Sequence, residues 1–536
     1  MWDFCLPYRL GSWYWQRMSS YSGRNIRKNI LFITSDQQHF DTLGVGNPKI
    51  FTPNLDRLCA EGTRFSRAYC PNPTCTPTRA TLLTGLMPSQ HGAWSLGTML
   101  SEALPTLPGL LSEAGYFTGL AGKAHFQPLR GNETYPSIER HPILRDREFW
   151  RDFKGDWYGF DRVETARMHG DEGHAGGHYA LWMEEKGLKE WEDYFQLPDA
   201  GLCDARRATY THGDLRKWDL PEAFHYTTWT AERTIDFIDE AGEADTPFMI
   251  WSSFHDPHPP YIVPEPWASM YDPEDMEPGR LCPGEHDRNP EMFRRAAEED
   301  SESYWANVTE GQGGIHGGEF QGGYPEEALR KDMACYYGMV SFMDQQIGRI
   351  LDALDARGLT ENTIVVFTTD HGHFLGQHGL RLKAIHHYED LLKLPFIVRH
   401  PGSVPAGRVC ADLQNLVDLP KTLLKAAGVE PPVHFQGMDQ GSSWRGEGPV
   451  REWSITENHH GYTRFHMNTL VTDRYKLTVH RETGEGELFD LRADPAEVRN
   501  LWDDPEAATL KSDLLLAYAR ARMAEEPIRM PRLFPA

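Results

Sequence analysis

The sequence predicts an α/β fold: a large mixed, mainly parallel sheet sandwiched by helices, followed by a smaller C-terminal α+β domain with an antiparallel sheet. Three short apolar runs rich in β-branched residues, at 29–35, 247–254 and 362–369, are typical of strands buried on both faces of a parallel sheet. Near the C terminus, 469–479 and 487–491 alternate between apolar and polar side chains, as antiparallel strands do.

The elements between these runs follow from caps, stops and periodicity. Helices are predicted where Thr or Pro precedes a helical apolar period and Gly ends it, and strands where apolar residues alternate or run together. In chain order these are a helix at 52–62, a strand at 63–69, helices at 75–85 and 107–115, a strand that starts at 116, helices at 229–238 and 326–354, a strand and turn at 394–402, and a helix at 416–428.

A chain of 536 residues exceeds the usual size of a single core, so more than one unit is expected. The composition shifts to Gly, Ser and charge near 440–450, which marks a boundary. Two stretches of low periodicity, at about 130–230 and 267–325, are predicted to be inserts that shape a substrate pocket. The predicted units are an N-terminal extension, a catalytic domain, and a C-terminal subdomain with its tail, over 1–28, 29–445 and 446–536.

The net charge limits the partners of the protein. Lys and Arg number 54 against 78 Asp and Glu, which gives −24. Such a charge argues against nucleic acid and anionic membrane surfaces. A small anionic substrate could bind only where positive side chains gather in one cleft.

Cysteine usage and hydropathy indicate a cytoplasmic protein. The eight cysteines show no CxxC pair, and no run of eighteen apolar residues occurs, so we expect reduced thiols and no membrane span. Residues 1–28 lack the apolar core of a signal peptide. We expect this extension to pack on the body or on a second subunit, which leaves a homo-oligomer open.

Cys75 is predicted to stand at the N terminus of a helix. Pro77 suits the first helical turn and Gly85 suits the stop. Unpaired N–H groups and the helix dipole favour an anion there. A cysteine near a helix start is more often an ordinary buried residue, however, so this pattern alone does not settle whether Cys75 is reactive.

Two carboxylates follow buried strands. Asp36 comes directly after the run at 29–35, and Asp370 directly after the run at 362–369. Ligands of parallel sheets collect beyond the carboxyl ends of the strands, so these two carboxylates predict a shared metal site.

Beyond the helix start, the sequence Cys-Thr-Pro-Thr-Arg at 75–79, with Leu-Leu-Thr-Gly at 82–85 and Pro-Ser-Gln-His-Gly at 88–92, resembles the signature of the formylglycine-dependent (type I) sulfatases of the alkaline-phosphatase-like superfamily. The resemblance extends from about 29 to 502. It implies that a formylglycine-generating maturation enzyme oxidises Cys75 to Cα-formylglycine. One hydroxyl of the hydrated aldehyde would attack sulfur, and the other would expel sulfate by reforming the aldehyde, while Arg79 holds the diol.

The same resemblance assigns further catalytic and substrate-binding residues. Lys123 and His125, in Gly-Lys-Ala-His at 122–125, match the pair that contacts the sulfate and the nucleophile, and they would share one face of a strand. His258, in Pro-His-Pro-Pro, matches a histidine near the leaving oxygen, and Lys383 matches a second sulfate-binding lysine.

For the metal, the resemblance implies Asp36, Gln37, Asp370, His371 and an oxygen of the modified Cys75. This mainly oxygen set suits one divalent cation, with calcium favoured and manganese open. Gln37 stands where the family commonly has a second aspartate; its amide oxygen can bind a hard cation but brings no charge.

The predicted function is therefore hydrolysis of sulfate monoesters, on aryl or small alkyl or sugar sulfates, through a covalent sulfo-enzyme. Gln37 and His371 leave open a phosphonate monoester hydrolase or phosphodiesterase with the same nucleophile, although such enzymes tend to replace the Lys-x-His pair by neutral hydroxyl residues. A third alternative is a non-enzymatic, unmodified metal-binding scaffold.

Overall fold

The fold is taken from a computed structural model that describes residues 27–196, 217–291, 293, 319–320, 324–383, 385–459, 466–481 and 483–527. The predicted extension at 1–28 lies outside the described residues except for its last two. The insert predicted at 267–325 also lies partly outside them.

An eight-stranded sheet forms the centre of the molecule, and three smaller sheets lie around it. The strands of the described chain are β1 (Asn29–Ser35), β2 (Thr63–Phe65), β3 (Ala68–Tyr69), β4 (Phe117–Lys123), β5 (Arg162–Ala166), β6 (Phe248–Ser253), β7 (Glu319–Phe320), β8 (Thr363–Thr369), β9 (Phe374–Leu375), β10 (Leu380–Leu382), β11 (Lys393–Leu394), β12 (Ile397–Arg399), β13 (Arg408–Cys410), β14 (Gln414–Asn415), β15 (Ser454–His459), β16 (His466–Val471), β17 (Tyr475–His480) and β18 (Gly486–Asp490).

The strand order of the main sheet is β13-β2-β12-β8-β1-β6-β4-β5. β1 lies inside the sheet and runs parallel to β8 on one side and β6 on the other. β4 and β5 continue the parallel part, whereas β12 runs antiparallel to β8 and β2. The prediction of a large mixed, mainly parallel sheet is confirmed.

Helices cover both faces of this sheet. The α-helices of the described residues are α1 (Pro53–Glu61), α2 (Cys75–Thr84), α3 (Pro88–His91), α4 (Leu107–Glu113), α5 (Arg147–Asp152), α6 (Gly177–Glu185), α7 (Tyr226–Glu243), α8 (Glu326–Ala356), α9 (Glu389–Leu392), α10 (Leu419–Ala426), α11 (Gly441–Trp444) and α12 (Ala508–Ala524).

The two faces of β1 belong to two separate cores. Phe32 packs with Trp251 of β6, their ring centroids 5.2 Å apart, in the cluster that includes the apolar side of α2. Leu31 points the other way, into the cluster that holds Ile347 of α8. Burial on both faces explains why this strand is a continuous apolar run.

A second, antiparallel sheet of four strands, β15-β16-β17-β18, lies in the C-terminal part, as predicted. Its first strand is tied to the segment that leads to α2. The Glu457 N–H donates to the Pro71 carbonyl (2.8 Å), and Asn72 Nδ2 donates to the Glu457 carbonyl (2.7 Å). The C-terminal sheet therefore helps to fix the start of α2.

Two details differ from the sequence-based expectation. β5 lies within 130–230 but pairs with β4 at the edge of the main sheet, so this stretch is not wholly an insert. The single strand expected at 469–479 is two strands, because Thr472 accepts and donates hydrogen bonds with Tyr475 in a tight turn.

Candidate active site

Cys75 is the first residue of α2 and is buried. The turn before it is fixed by Asn72, whose Oδ1 accepts hydrogen bonds from the N–H (2.8 Å) and hydroxyl (2.6 Å) of Thr74. Gly85 ends the helix in the left-handed conformation, at φ 61°, and donates its N–H to Thr81. Both predicted ends of this helix are confirmed.

The carboxyl ends of three parallel strands of the main sheet bring charged side chains to this point. Asp36 follows β1, Asp370 follows β8, and Lys123 is the last residue of β4. Gly122 allows β4 to approach β6, because a Cβ at its φ of 107° would lie 1.9 Å from the Ser253 carbonyl oxygen.

These three side chains and Arg79 of α2 form what we call the floor of the site: Asp36, Arg79, Lys123 and Asp370. Their side chains are 0% exposed and form two ion pairs, Lys123 with Asp36 and Arg79 Nε with Asp370 Oδ2 at 2.9 Å. Arg79 also donates to the Lys123 carbonyl (2.9 Å) and the Ser253 hydroxyl (2.8 Å). Buried charges are tolerated only when paired in this way.

The thiol of Cys75 lies against cationic and metal-ligand groups. Its Sγ is 2.9 Å from Lys383 Nζ, 3.2 Å from His371 Nε2 and 3.7 Å from Asp36 Oδ1. Burial and Asp36 raise the pKa of this thiol, but Lys123, Lys383 and His371 outweigh them and lower it to about 7. The positive charge that an anionic substrate needs is thus gathered at this residue.

Four side chains meet closely enough to share one metal ion. The ligand atoms of Asp36, Cys75, Asp370 and His371 all lie within 4.8 Å of one another. His371 Nδ1 faces the Gly372 carbonyl at 3.0 Å and must donate to it, so the lone pair of Nε2 points into the cluster.

Gln37 fits the same ion. Its backbone N–H donates to Asp370 Oδ1 (3.0 Å), and its Nε2 lies 2.8 Å from His373 Nδ1. Its Oε1 is buried and has no hydrogen-bond partner among the described residues. A buried amide oxygen without a partner, on a residue that lies between Asp36 and the Asp370 contact, is a suitable ligand for a hard cation.

Loops supply a second set, which we call the wall: Arg167, His169, His258 and Lys383. These residues are 6–9% exposed and lie nearer solvent than the floor. His258 donates from Nδ1 to the Pro259 carbonyl, so its Nε2 accepts from Lys383 Nζ at 3.1 Å. The rings of His258 and His169 stack with centroids 3.6 Å apart.

Sequence reasoning missed His169. Its Nδ1 lies 3.1 Å from Glu172 Oε2, which leaves Nε2 as the acceptor for Lys123 Nζ at 2.7 Å. His169 therefore orients the floor lysine. The strand β5 (Arg162–Ala166) could have revealed His169. Residues just after the carboxyl end of a parallel strand are candidates for a ligand site, but this strand was not predicted from the sequence.

The predicted geometry of His125 is wrong. β4 ends at Lys123, and His125 has a φ of 59°, so the two side chains do not share a strand face. The cause is Glu139, whose carboxylate accepts the N–H groups of His125, Phe126 and Gln127 at 2.7–2.9 Å and turns the chain. His125 remains beside the site, where burial lowers its pKa and the cation of Lys123 adds to that effect.

Comparison with known families shows to which family the chain belongs. The sequence profile of the sulfatase family matches residues 28–429, and that of the N-sulphoglucosamine sulphohydrolase C-terminal region matches 376–523. The chain belongs to the sulfatase family. Both the predicted family and the prediction of an enzyme are confirmed, and members of this family generally use a metal ion and formylglycine.

Individual relatives extend over nearly the whole chain. This sulfatase is 30% identical to the arylsulfatase of Clostridium perfringens over 494 residues, covering 90% of this chain and 91% of that one. It is 28% identical over 520 residues to a multifunctional alkaline phosphatase superfamily protein of Trinickia caryophylli, covering 91% and 93%. The crystal structure of phosphonate monoester hydrolase of Agrobacterium radiobacter shares the fold, with a TM-score of 0.73 at 23% identity and coverage of 93% and 96%.

The helices of the described residues do not include one with the length and apolar character that a membrane crossing requires.

Proposed function

We propose that this sulfatase hydrolyses sulfate monoesters of aryl, small alkyl or sugar alcohols, with Cys75 acting after conversion to Cα-formylglycine. One observation carries the proposal: the side chain of residue 75 lies at a helix start, within 2.9 Å of Lys383 Nζ and within the same cluster as two carboxylates and His371. A nucleophile, cations and metal ligands therefore meet around one atom.

The hydrated form of formylglycine suits this position. One hydroxyl oxygen at Cβ bonds to sulfur while the ester S–O bond breaks and the alcohol leaves. The second hydroxyl then loses its proton, the Cβ–O bond to the sulfo group breaks, and sulfate departs as the aldehyde reforms. Water restores the diol. Serine could complete only the first of these steps.

The chain's own cations would bind the transferring group. Lys383 Nζ lies 2.9 Å from Cys75 Sγ, and Lys123 pairs with Asp36, whose Oδ1 lies 3.7 Å from the same atom. Each lysine can donate to sulfate oxygens. Arg79 keeps one buried nitrogen, Nη2, without a hydrogen-bond partner among the described residues, and it is available to the diol. Such fixed donors stabilise charge that develops in the transition state.

Two histidines are assigned to the leaving group. His258 presents Nε2 beside Lys383, and a proton shared between them can reach the departing oxygen. His125 is buried two residues after Lys123, and we assign it to the same polar lining.

Asp36, Gln37, Asp370 and His371 would hold one divalent cation, with calcium favoured over manganese because oxygen ligands predominate. When bound, it supplies Lewis-acid polarisation of the sulfuryl oxygens and lowers the pKa of the diol.

A second candidate is phosphonate monoester or phosphodiester hydrolysis with the same nucleophile. Two observations favour it: the neutral Gln37 among the metal ligands, and the fold shared with phosphonate monoester hydrolase of Agrobacterium radiobacter. Lys123 argues against this candidate. Phosphonate monoester hydrolases tend to carry a neutral hydroxyl residue at this position, whereas a lysine is expected in sulfatases.

The test is a comparison of kcat/KM for 4-nitrophenyl sulfate and for a 4-nitrophenyl phosphonate monoester, using protein produced together with a formylglycine-generating enzyme. We expect the sulfate to be the better substrate. Negligible sulfate turnover beside rapid phosphonate cleavage would favour the second candidate, and no turnover of either by modified protein would refute both.

A further inference from the structure

One wall residue, Arg167, has no role in the chemistry proposed above. It follows directly after β5, whose last residue pairs with Lys123 in the register of β4 and β5. Its side chain thus begins beside the floor lysine, two residues before His169. Arg167 is 6% exposed, so its charge is largely removed from water.

The guanidinium is poorly paired for a buried cation. The nearest carboxylate is Glu139, 3.7 Å from Nε. That carboxylate already accepts three backbone N–H groups from residues 125–127. Nε is buried and has no hydrogen-bond partner among the described residues. A buried cation with unused donors is costly unless a ligand satisfies it.

The surroundings of Arg167 place this unused charge at the sulfate site. It belongs to the same wall as Lys383 and His258, which contact or adjoin Cys75. Ala166, directly before Arg167, pairs with Lys123 across β4 and β5, and His169, two residues after Arg167, accepts from Lys123 Nζ at 2.7 Å. Lys123 in turn pairs with Asp36, whose Oδ1 lies 3.7 Å from Cys75 Sγ. The segment that carries this cation therefore borders the site around residue 75, so that both can act on one substrate molecule.

We propose that Arg167 binds a second anionic group, a carboxylate or a second sulfate, on the alcohol part of the substrate. This deepens the proposed function and rests on it: the enzyme would prefer sulfate esters that carry two negative charges. Planar guanidinium donors match a carboxylate or sulfate through two parallel hydrogen bonds. Glu139 then has a separate part, since it holds the backbone of 125–127 and keeps the guanidinium at the wall.

The experiment compares three sets of aryl sulfates: ortho-, meta- and para-sulfooxybenzoate, the matching sulfooxybenzamides, and the matching phenylene disulfates. Carboxamide and carboxylate have similar shapes but differ in charge. We expect the native enzyme to favour at least one anionic isomer by about tenfold or more in kcat/KM, the range of a charge-assisted hydrogen bond. The benzoates and the disulfates separate the two kinds of second anion.

Arg167→Gln should abolish this preference, with a loss of about ten- to a hundredfold on the favoured anion and under about threefold on its benzamide. Arg167→Lys keeps the charge and should retain part of the preference. Arg399→Gln is the matched control: Arg399 is a fully buried arginine paired with Glu61 at 2.8 Å, away from the site, and its loss should leave the substrate ratio unchanged. Thermal melting of each variant separates unfolding from a change in specificity.

Equal losses on charged and neutral substrates in Arg167→Gln, or no anion preference in the native enzyme, would overturn the proposal and leave Arg167 as a support for Glu139.

A binding measurement distinguishes failure of the Arg167 subsite from failure of the proposed function. If no sulfate is turned over, titration calorimetry with the ortho, meta and para isomers of sulfobenzoate and of carbamoylbenzenesulfonate still tests the subsite. Preference for a sulfobenzoate that disappears in Arg167→Gln supports it, and equal binding refutes it.

Discussion

The floor and the wall of the active site are built by different parts of the fold. Asp36, Lys123 and Asp370 of the floor stand at the carboxyl ends of the parallel strands β1, β4 and β8 of the main sheet, and Arg79 comes from the helix that begins at Cys75. They are fully buried in two ion pairs. The wall residues come from loops after β5, β6 and β10. The rings of His169 and His258 stack, and Lys383 Nζ lies within 3.4 Å of Cys75, His258 and His371.

The floor and the wall are therefore suited to different tasks. Side chains fixed by the strands of one sheet hold their positions without help from substrate, which suits a nucleophile and a metal site whose geometry must not change. Binding residues are often carried by loops on a rigid scaffold, so we expect substrate choice to depend on the wall. The predictions below test this division in order of decreasing effect on activity.

The largest effect is expected at the nucleophile, which both sets surround. Cys75→Ala should lower kcat by at least about 10⁴-fold, because it removes the atom that attacks sulfur. Cys75→Ser should also fail at steady state, since serine cannot release sulfate by reforming an aldehyde. Steady-state and single-turnover assays check this, and melting temperatures close to that of the native protein show that folding is intact. Steady turnover by Cys75→Ala would contradict the assignment.

Removal of one lysine from the floor and one from the wall tests whether the two differ in their contribution to stability. Lys123→Ala and Lys383→Ala should each lower kcat by about 10²–10³-fold, since each removes a preorganised charge. Only Lys123→Ala leaves a buried carboxylate, Asp36, without its partner, and it should cost about 3–5 kcal/mol of unfolding free energy. Among the described residues Lys383 pairs with no carboxylate, and its loss should cost only about 1 kcal/mol, as for a typical substitution.

Denaturant unfolding in the presence of a chelator measures both variants. Equal unfolding free energies of Lys123→Ala and Lys383→Ala would contradict the expectation that the ion pair of Lys123 makes the floor more sensitive than the wall to loss of a lysine.

Gln37 tests the metal site at the edge of the floor. Gln37→Ala should weaken binding of calcium or manganese about 10- to 100-fold, because it removes an amide oxygen that is buried without a hydrogen-bond partner among the described residues. Gln38→Ala is the matched control, since Gln38 Oε1 is also buried without such a partner but its Nε2 donates to Thr42, outside the proposed ligand set. Chelation followed by metal titration, read by restored activity, compares the two. Unchanged affinity in Gln37→Ala would remove Gln37 from the ligand set.

The smallest effect on activity is expected at His378, which supports the loop that carries Lys383. Burial alone would lower its pKa, but Asp390 and Glu285 raise it to about 9 from 6.5. The folded state holds this proton more tightly than the unfolded state, so its contribution to stability is complete below pH 6.5 and is lost as pH rises through about 9. Unfolding free energies from pH 6 to 10 should fall in the native protein, and this part of the slope should vanish in His378→Gln. An unchanged slope would contradict the shifted pKa.

The two carboxylates of the floor could be predicted from local sequence patterns, whereas Arg167 and His169 of the wall were not found at all. Asp36 and Asp370 directly follow continuous apolar runs, while Arg79, Lys123, His258 and Lys383 were assigned only through the family resemblance. β5 mixes Arg and Glu with apolar residues at a sheet edge, so neither it nor the wall residues after it were recognised. His125 was misplaced because its backbone is turned by Glu139, fourteen residues away, and such contacts leave no trace in local periodicity.

The most direct test is the mass of the peptide that contains residue 75, measured on the same preparations as the turnover of 4-nitrophenyl sulfate. We predict that active protein carries the aldehyde or its hydrate at this position, and that kcat rises in proportion to the modified fraction when the maturation enzyme is supplied. Undiminished turnover with a free Cys75 thiol, or full modification without turnover, would contradict the account.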